Sequence, residues 1–187
     1  MAKPKKPLNA GLQFERDFIA FARQAGFQTE KLSTPTPPMR PCTCGATPRS
    51  AFTTKRPYDV LLTQAIFSTE GLLPNQGPAG HHVVAVECKS AGKTPRLPLE
   101  RIQEHQIKGL QERAKAGWLA GLAIDLPKPG GADEREWWWL PAHRIEVLTA
   151  ACLAAGRASA TWKELREAGG QHISQSAAGF ALSLGVY

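Results

Sequence analysis

The sequence predicts a mixed α/β architecture, a central sheet flanked by helices. Three observations carry that expectation. Segments with helical periodicity alternate with short β-branched runs. No apolar run approaches the roughly 20 residues of a membrane span. Hydrophobic residues make up 42% of a 187-residue chain, enough for one core and too few for two comfortable domains.

Taken in order, Met1-Ala2-Lys3-Pro4-Lys5-Lys6-Pro7 is basic and has no apolar h-region, so residues 1–8 read as a disordered basic arm and 9–187 as one domain. From 11 to 25, Phe14, Phe18, Phe21 and Ala25 recur at helical spacing and Gly26 supplies a stop. Residues 33–57 are rich in Pro, Thr and Arg, which predicts a loop or stalk excursion at about 34–56. Residues 58–67 read as a strand, 71–80 as a turn-rich connection and 82–89 as a second strand, hairpin-paired with the first. A linker over 92–98 leads to a helix over 99–116 carrying Ile102, Gln106 and Leu110. Residues 118–126 form a buried third strand and 136–140 a fourth, and Pro141 opens a helix. Thr161-Trp162-Lys163-Glu164 has capping-box spacing and starts a short last helix.

The formal charge of +7 suits a nucleic-acid partner, whose counterions are released as Lys and Arg neutralise phosphates. A basic soluble protein without such a partner accounts for the charge equally well. Cys42, Cys44, Cys88 and Cys152 show no secreted disulfide pattern, which places the chain in a reducing cytoplasm.

The chemistry concentrates in Val83-Val84-Ala85-Val86-Glu87-Cys88-Lys89, with Pro57-Tyr58-Asp59 upstream. Strand alternation puts Glu87 and Lys89 on one face and Cys88 on the other. Two ionisable groups at the end of a buried strand cost desolvation energy unless something uses them. Asp59 and Glu87 would hold Mg²⁺ (or Mn²⁺), with the Cys88 backbone carbonyl completing the protein ligands. Lys89 would orient the attacking water and offset charge on a phosphodiester. The competing reading is a Glu–Lys pair that merely solvates a sheet edge, since Glu-x-Lys is short and common.

Glu15 in the first helix, Pro57-Tyr58-Asp59, Glu87-Cys88-Lys89 and the helix that follows have the layout of the PD-(D/E)XK nuclease superfamily. Within it, the chain resembles the RecU-type Holliday junction resolvases. Leu97-Pro98-Leu99 followed by His105-Gln106-Ile107 resembles that family's Phe-Pro-Leu segment and His-Gln-Ile helix. Asn9-Ala10-Gly11, Pro35-Thr36-Pro37 and Trp138-Trp139-Leu140-Pro141 also fit, so the likeness runs from Asn9 to about Ile173. Glu15-Arg16 and Gly26-Phe27 look like the opening helix of archaeal junction resolvases. The resemblance implies a restriction-endonuclease-like fold and a homodimer that nicks two opposed strands of a four-way junction, leaving 5′-phosphates. A recombination helicase partner stays open. The chain departs from the family at its stalk, where residues 36–56 carry Cys42-Thr43-Cys44-Gly45 instead.

Several residues keep two readings. Cys42 and Cys44 are half of a structural Zn²⁺ site or, the favoured reading, two loop thiols. Gln106 shares a helical phase with Ile102 and Leu110 and is expected to reach the site, while His105 points sideways. Glu15 reaches the metal through water or is a solvated helical acid. The DNA-contact candidates are Arg40, Arg49, Lys55, Arg56, Lys93, Arg96, Arg101 and Lys108, with Lys3, Lys5 and Lys6 of the arm. Trp137-Trp138-Trp139 is expected in the core, with alternate rings on opposite faces, rather than as a base-stacking platform. Two rival functions remain: a PD-(D/E)XK nuclease of a phage or mobile element, and a non-catalytic nucleic-acid-binding module.

Overall fold

The computed structural model describes residues 9–32, 58–65, 81–128 and 131–174, with positions 176, 179, 180 and 184. The basic arm, the excursion at 34–56 with Arg40, Cys42, Cys44, Arg49, Lys55 and Arg56, and the 71–80 connection lie outside the described residues.

The first helix, α1 (Ala10–Gln24), is capped by Asn9, whose side chain accepts the Gly11 N–H at 3.1 Å. Its Phe14, Phe18, Ile19 and Ala22 are buried, and Gly26 turns the chain at φ 88°. The strands that follow are β1 (Gln28–Lys31), β2 (Val60–Ala65) and β3 (His81–Ser90). After β4 (Leu97–Pro98) and a 3-10 turn over Leu99–Arg101 come α2 (Glu104–Lys115), β5 (Leu119–Lys128) and β6 (Gly131–Pro141). A second 3-10 turn, α3 (Ile145–Ala154), β7 (Ser159–Ala160), α4 (Trp162–Glu167) and β8 (Gln171–His172) complete the order.

One mixed sheet of six strands runs β1-β2-β3-β5-β6-β8, and β4 pairs with β7 in a separate two-stranded ladder. Among the described strands only β3 and β5 are parallel, joined by the crossover through α2; the other described pairs are antiparallel. The mixed α/β expectation therefore holds, and the expected β2–β3 pairing is present. Each face of the sheet has its own apolar cluster. Phe14, Phe18, Val84, Val86, Trp137 and Trp139 meet under α1. Tyr58, Leu110, Leu122, Ile124, Trp138 and Leu148 meet under α2 and α3. The three adjacent Trp residues are all core, divided between the faces as strand alternation requires. Among the described residues, no helix is long and apolar enough to cross a membrane.

Three expectations are corrected. The linker over 92–98 contains β4, and the helix over 99–116 starts only at Glu104. Ile102 takes an extended conformation (φ −93°, ψ 98°), which sends its side chain into the core and separates the 3-10 turn from α2. Pro141 ends β6 instead of opening a helix, and a 3-10 turn over Ala142–Arg144 precedes α3. The helix opened by Thr161 is as expected, with the Thr161 N–H donating to Glu164 at 2.8 Å.

Gly121 marks the tightest approach within the sheet. A Cβ there would lie 2.4 Å from the Leu140 carbonyl oxygen and 2.9 Å from the Trp139 ring. Neither neighbour is a flexible chain end. Gly121→Ala is expected to lower unfolding stability by about 2–3 kcal/mol, read as a lower urea midpoint at constant slope; an unchanged midpoint would show that β5 and β6 can move apart.

Candidate active site

Asp59 stands just before β2, and backbone bonds to both sides fix it there. Its N–H donates to the Val86 carbonyl at 3.0 Å, and its carbonyl accepts the Leu32 N–H at 2.9 Å. Its side-chain Oδ2 accepts the Cys88 N–H at 3.1 Å. Because Val60 pairs with Val86, the next step along the ladder sets Asp59 beside Glu87. Glu87 is 2% exposed. Lys89 Nζ lies 2.7 Å from Glu87 Oε1, confirming that the two share a face.

Gln106 closes this arrangement. Its Nε2 donates to Glu87 Oε1, and its Oε1 accepts from Lys89 Nζ at 2.9 Å. The same Oε1 accepts the Gln103 N–H at 3.1 Å, which ties the side chain to the first turn of α2. The late start of α2 is what puts Gln106 in that first turn, at the positive end of the helix dipole and beside a carboxylate. His105 takes no part in the cluster, as its helical phase implied.

Glu15 approaches from α1 and is 8% exposed. Lys31 Nζ sits 2.8 Å from its Oε1, an ion pair in which Oε1 has no well-aligned hydrogen bond. Glu15 is therefore no solvated helical acid. Its charge also acts on Asp59 and on Cys88. Lys31 carries no sequence signal: it lies in a short polar strand, and only the pairing of β1 with β2 brings it here.

The electrostatics follow from crowding acids out of water. Burial pushes the Asp59 carboxyl up, and Glu15 adds to that; the Cys88 N–H, Lys89 and Lys31 oppose it. Burial also raises Glu87, to about 7 from 4.5, with Asp59 adding to the rise and Lys89 opposing it. The Cys88 thiol, on the opposite face, is raised well above its ordinary value by the same burial and by Asp59 and Glu87. Three carboxylates thus face two ammonium groups, and the anionic forms remain under-compensated.

That imbalance, with hard oxygen donors on the buried Glu87 and the half-buried Asp59, fits a divalent cation of the Mg²⁺ type, which needs only one or two carboxylates and keeps its waters. Among the described residues, no group of three or more His, Cys, Asp or Glu side chains is arranged to hold a metal ion. Asp59 and Glu87 are accordingly a two-carboxylate set.

The DNA-contact candidates divide. Lys93 and Arg96 are exposed in the turn after β3. Arg101 Nη1 donates to the Ser90 carbonyl at 2.7 Å, so this residue holds the chain as well as offering charge. Lys108 is exposed and paired with Glu104 at 2.6 Å across one turn of α2. A cavity of about 350 Å³ beside the cluster is lined by Asn9, Gly11, Lys89, Ser90, Arg101 and Gln103.

No protein-family model matches the chain, and no curated protein matches it. Among solved structures, it is similar to that of Archaeoglobus fulgidus Hjc, a Holliday junction resolvase from an archaeal hyperthermophile. The alignment covers 96% of this chain and 98% of that one, at 17% identity and a TM-score of 0.49.

The raised Glu87 carboxyl has a consequence for stability. Between pH 4.5 and about 7 the folded protein holds a proton that the unfolded chain releases. Stability of the metal-free protein is therefore expected to fall as pH rises through that window, by up to about 3 kcal/mol, and to level off above it. Urea unfolding in EDTA at pH 5 and pH 8 reads the difference, and Glu87→Gln should flatten most of it. A flat profile would mean that Glu87 ionises as freely in the folded state as in the unfolded chain.

Proposed function

We propose that the protein is a metal-dependent DNA endonuclease that resolves four-way junctions by paired phosphodiester hydrolysis. The observation that carries the nuclease reading is the cluster of the buried Glu87 with the half-buried Asp59, Lys89 and Gln106, in which two adjacent carboxylates lack full compensation beside a fixed ammonium. A non-catalytic binding module has no use for such a costly arrangement. Junction selectivity and a RecU-like homodimer rest on the motifs running from Asn9 to Ile173.

A bound Mg²⁺ would neutralise the phosphate and make its water more acidic. Asp59 and Glu87 would hold it, with the Cys88 carbonyl as a third oxygen. Lys89 supplies positive charge to the phosphate oxygen and helps orient the attacking water. Gln106 keeps Lys89 and Glu87 at a fixed separation, so the ammonium is in place before substrate arrives. Glu15, restrained by Lys31, adds a third acid behind Asp59. Arg101, Lys93 and Arg96 lie along the exit of β3, where a phosphate backbone would pass.

The test is cleavage of a labelled synthetic four-way junction with Mg²⁺, with linear duplex and flap DNA as competitors. Symmetric nicks on the junction, lost in EDTA, are expected. Asp59→Asn and Lys89→Ala should each lower the rate by at least about 100-fold while junction affinity stays within a few-fold. Cleavage of every substrate alike would keep the nuclease and remove the junction. Tight metal-independent binding with no cleavage would make the protein a binding module.

Gln106→Ala gives a second, graded check. It is expected to slow cleavage roughly 10- to 100-fold without changing the strand positions cut. Wild-type rates in that variant would show that Lys89 needs no support from α2.

A further inference from the structure

A second buried polar cluster stands where the chain leaves β3, immediately after Lys89. Asp125 of β5 is 3% exposed and Ser90 is 8% exposed. Arg135 of β6 grips Asp125 with two nitrogens, Nε to Oδ1 at 2.6 Å and Nη2 to Oδ2 at 2.5 Å. Its Nη1 donates to the Gly92 carbonyl at 2.8 Å, and its Nη2 reaches the Ser90 hydroxyl at 3.2 Å. The Ser90 hydroxyl donates to Asp125 at 2.9 Å and accepts the Gly92 N–H at 3.3 Å. The Ala91 N–H donates to the Asp125 carbonyl at 2.9 Å. Every residue from Ser90 to Gly92 is therefore tied to β5, β6 or both.

Buried ion pairs of this kind seldom stabilise a fold more than apolar side chains of the same volume would. What this one fixes is the end of β3. Strand alternation makes the face of Lys89 depend on register, because a slip of one residue would exchange it with Cys88. The chain also turns sharply here, with Gly92 at φ 69°. A frayed exit would leave the ammonium free to leave Glu87 and Gln106.

We propose that Arg135, anchored on Asp125, is a positioning residue for Lys89, acting through the Ser90–Gly92 backbone. The inference rests on the nuclease reading above and assigns a second layer to that site. Removing Arg135 alone would strand the Asp125 carboxylate in the interior, so the informative variant replaces both, Asp125→Leu with Arg135→Met. It is expected to fold, to bind the junction within about threefold of wild type, and to cleave roughly 10- to 100-fold more slowly through kcat rather than KM. Amide exchange at Ala91 and Gly92 should accelerate at least about tenfold while exchange in the centre of β5 stays unchanged. Wild-type kcat in a folded double variant, or unaltered exchange at Ala91 and Gly92, overturns the positioning role. If the double variant does not fold, Ser90→Ala removes the bridging hydroxyl alone and should show the same pattern at about fivefold; wild-type kcat or exchange there overturns the role. A wild-type protein that cleaves no DNA overturns the nuclease reading and this role with it, whereas a cleaving wild type matched by its variant overturns this role alone.

Discussion

The register in which β2 meets β3, with Val60 opposite Val86, brings the half-buried Asp59 alongside the buried Glu87. Like charges so placed cannot both ionise cheaply, and the surrounding structure responds to that constraint. Lys89 extends from the same strand as Glu87, Lys31 reaches in from β1, and the Cys88 amide serves the Asp59 carboxylate. These groups reduce the cost without cancelling it. The residual deficit is what a divalent cation would offset under the proposed function.

The site also occupies a particular place in the topology. Among the described strands, β3 and β5 are the parallel neighbours, and α2 is the crossover between them. The exit of β3 is therefore the point where the chain must leave the sheet and enter a helix whose first turn points back at the strand end. Helix dipole, Gln106 and the exposed cations of the 93–101 segment gather there as a result of chain direction. The two apolar clusters, one on each face, hold the strands rigid beneath.

Much of this was legible from residue order. The Phe spacing of α1, the β-branched run of β3, the composition of β5 and the Thr161 capping box each announce their element through a local signal. Glu87, Lys89 and Asp59 were legible because acids and bases at the ends of apolar runs are conspicuous, and helical phase separated Gln106 from His105. What was missed has no local signal. Gln28-Thr29-Glu30-Lys31 lacks alternation because it is an exposed edge, so β1 and with it Lys31 were invisible. The two-residue strands β4, β7 and β8 are too short to show any period. Asp125 is hidden within an apolar strand, and its partner Arg135 is set by the β5–β6 register, a tertiary fact.

The tryptophan run of β6 has a consequence of a different kind. Trp137 packs among the aromatic rings of α1, with Phe14 and Phe21 each 5.4 Å from it between ring centroids, and Trp139 lies in the same apolar cluster. Trp138 faces the other layer, edge-on to His172 at 5.8 Å. Three consecutive residues thus place indole chromophores on both sides of one sheet. With the partly buried Trp118 and Trp162, which pack against the layer of Trp138, they make the intrinsic emission of the protein a composite of both faces. Loosening of either helical layer would reach the solvent-sensitive spectrum through β6, so the strand serves as a built-in optical gauge of how tightly each face is closed.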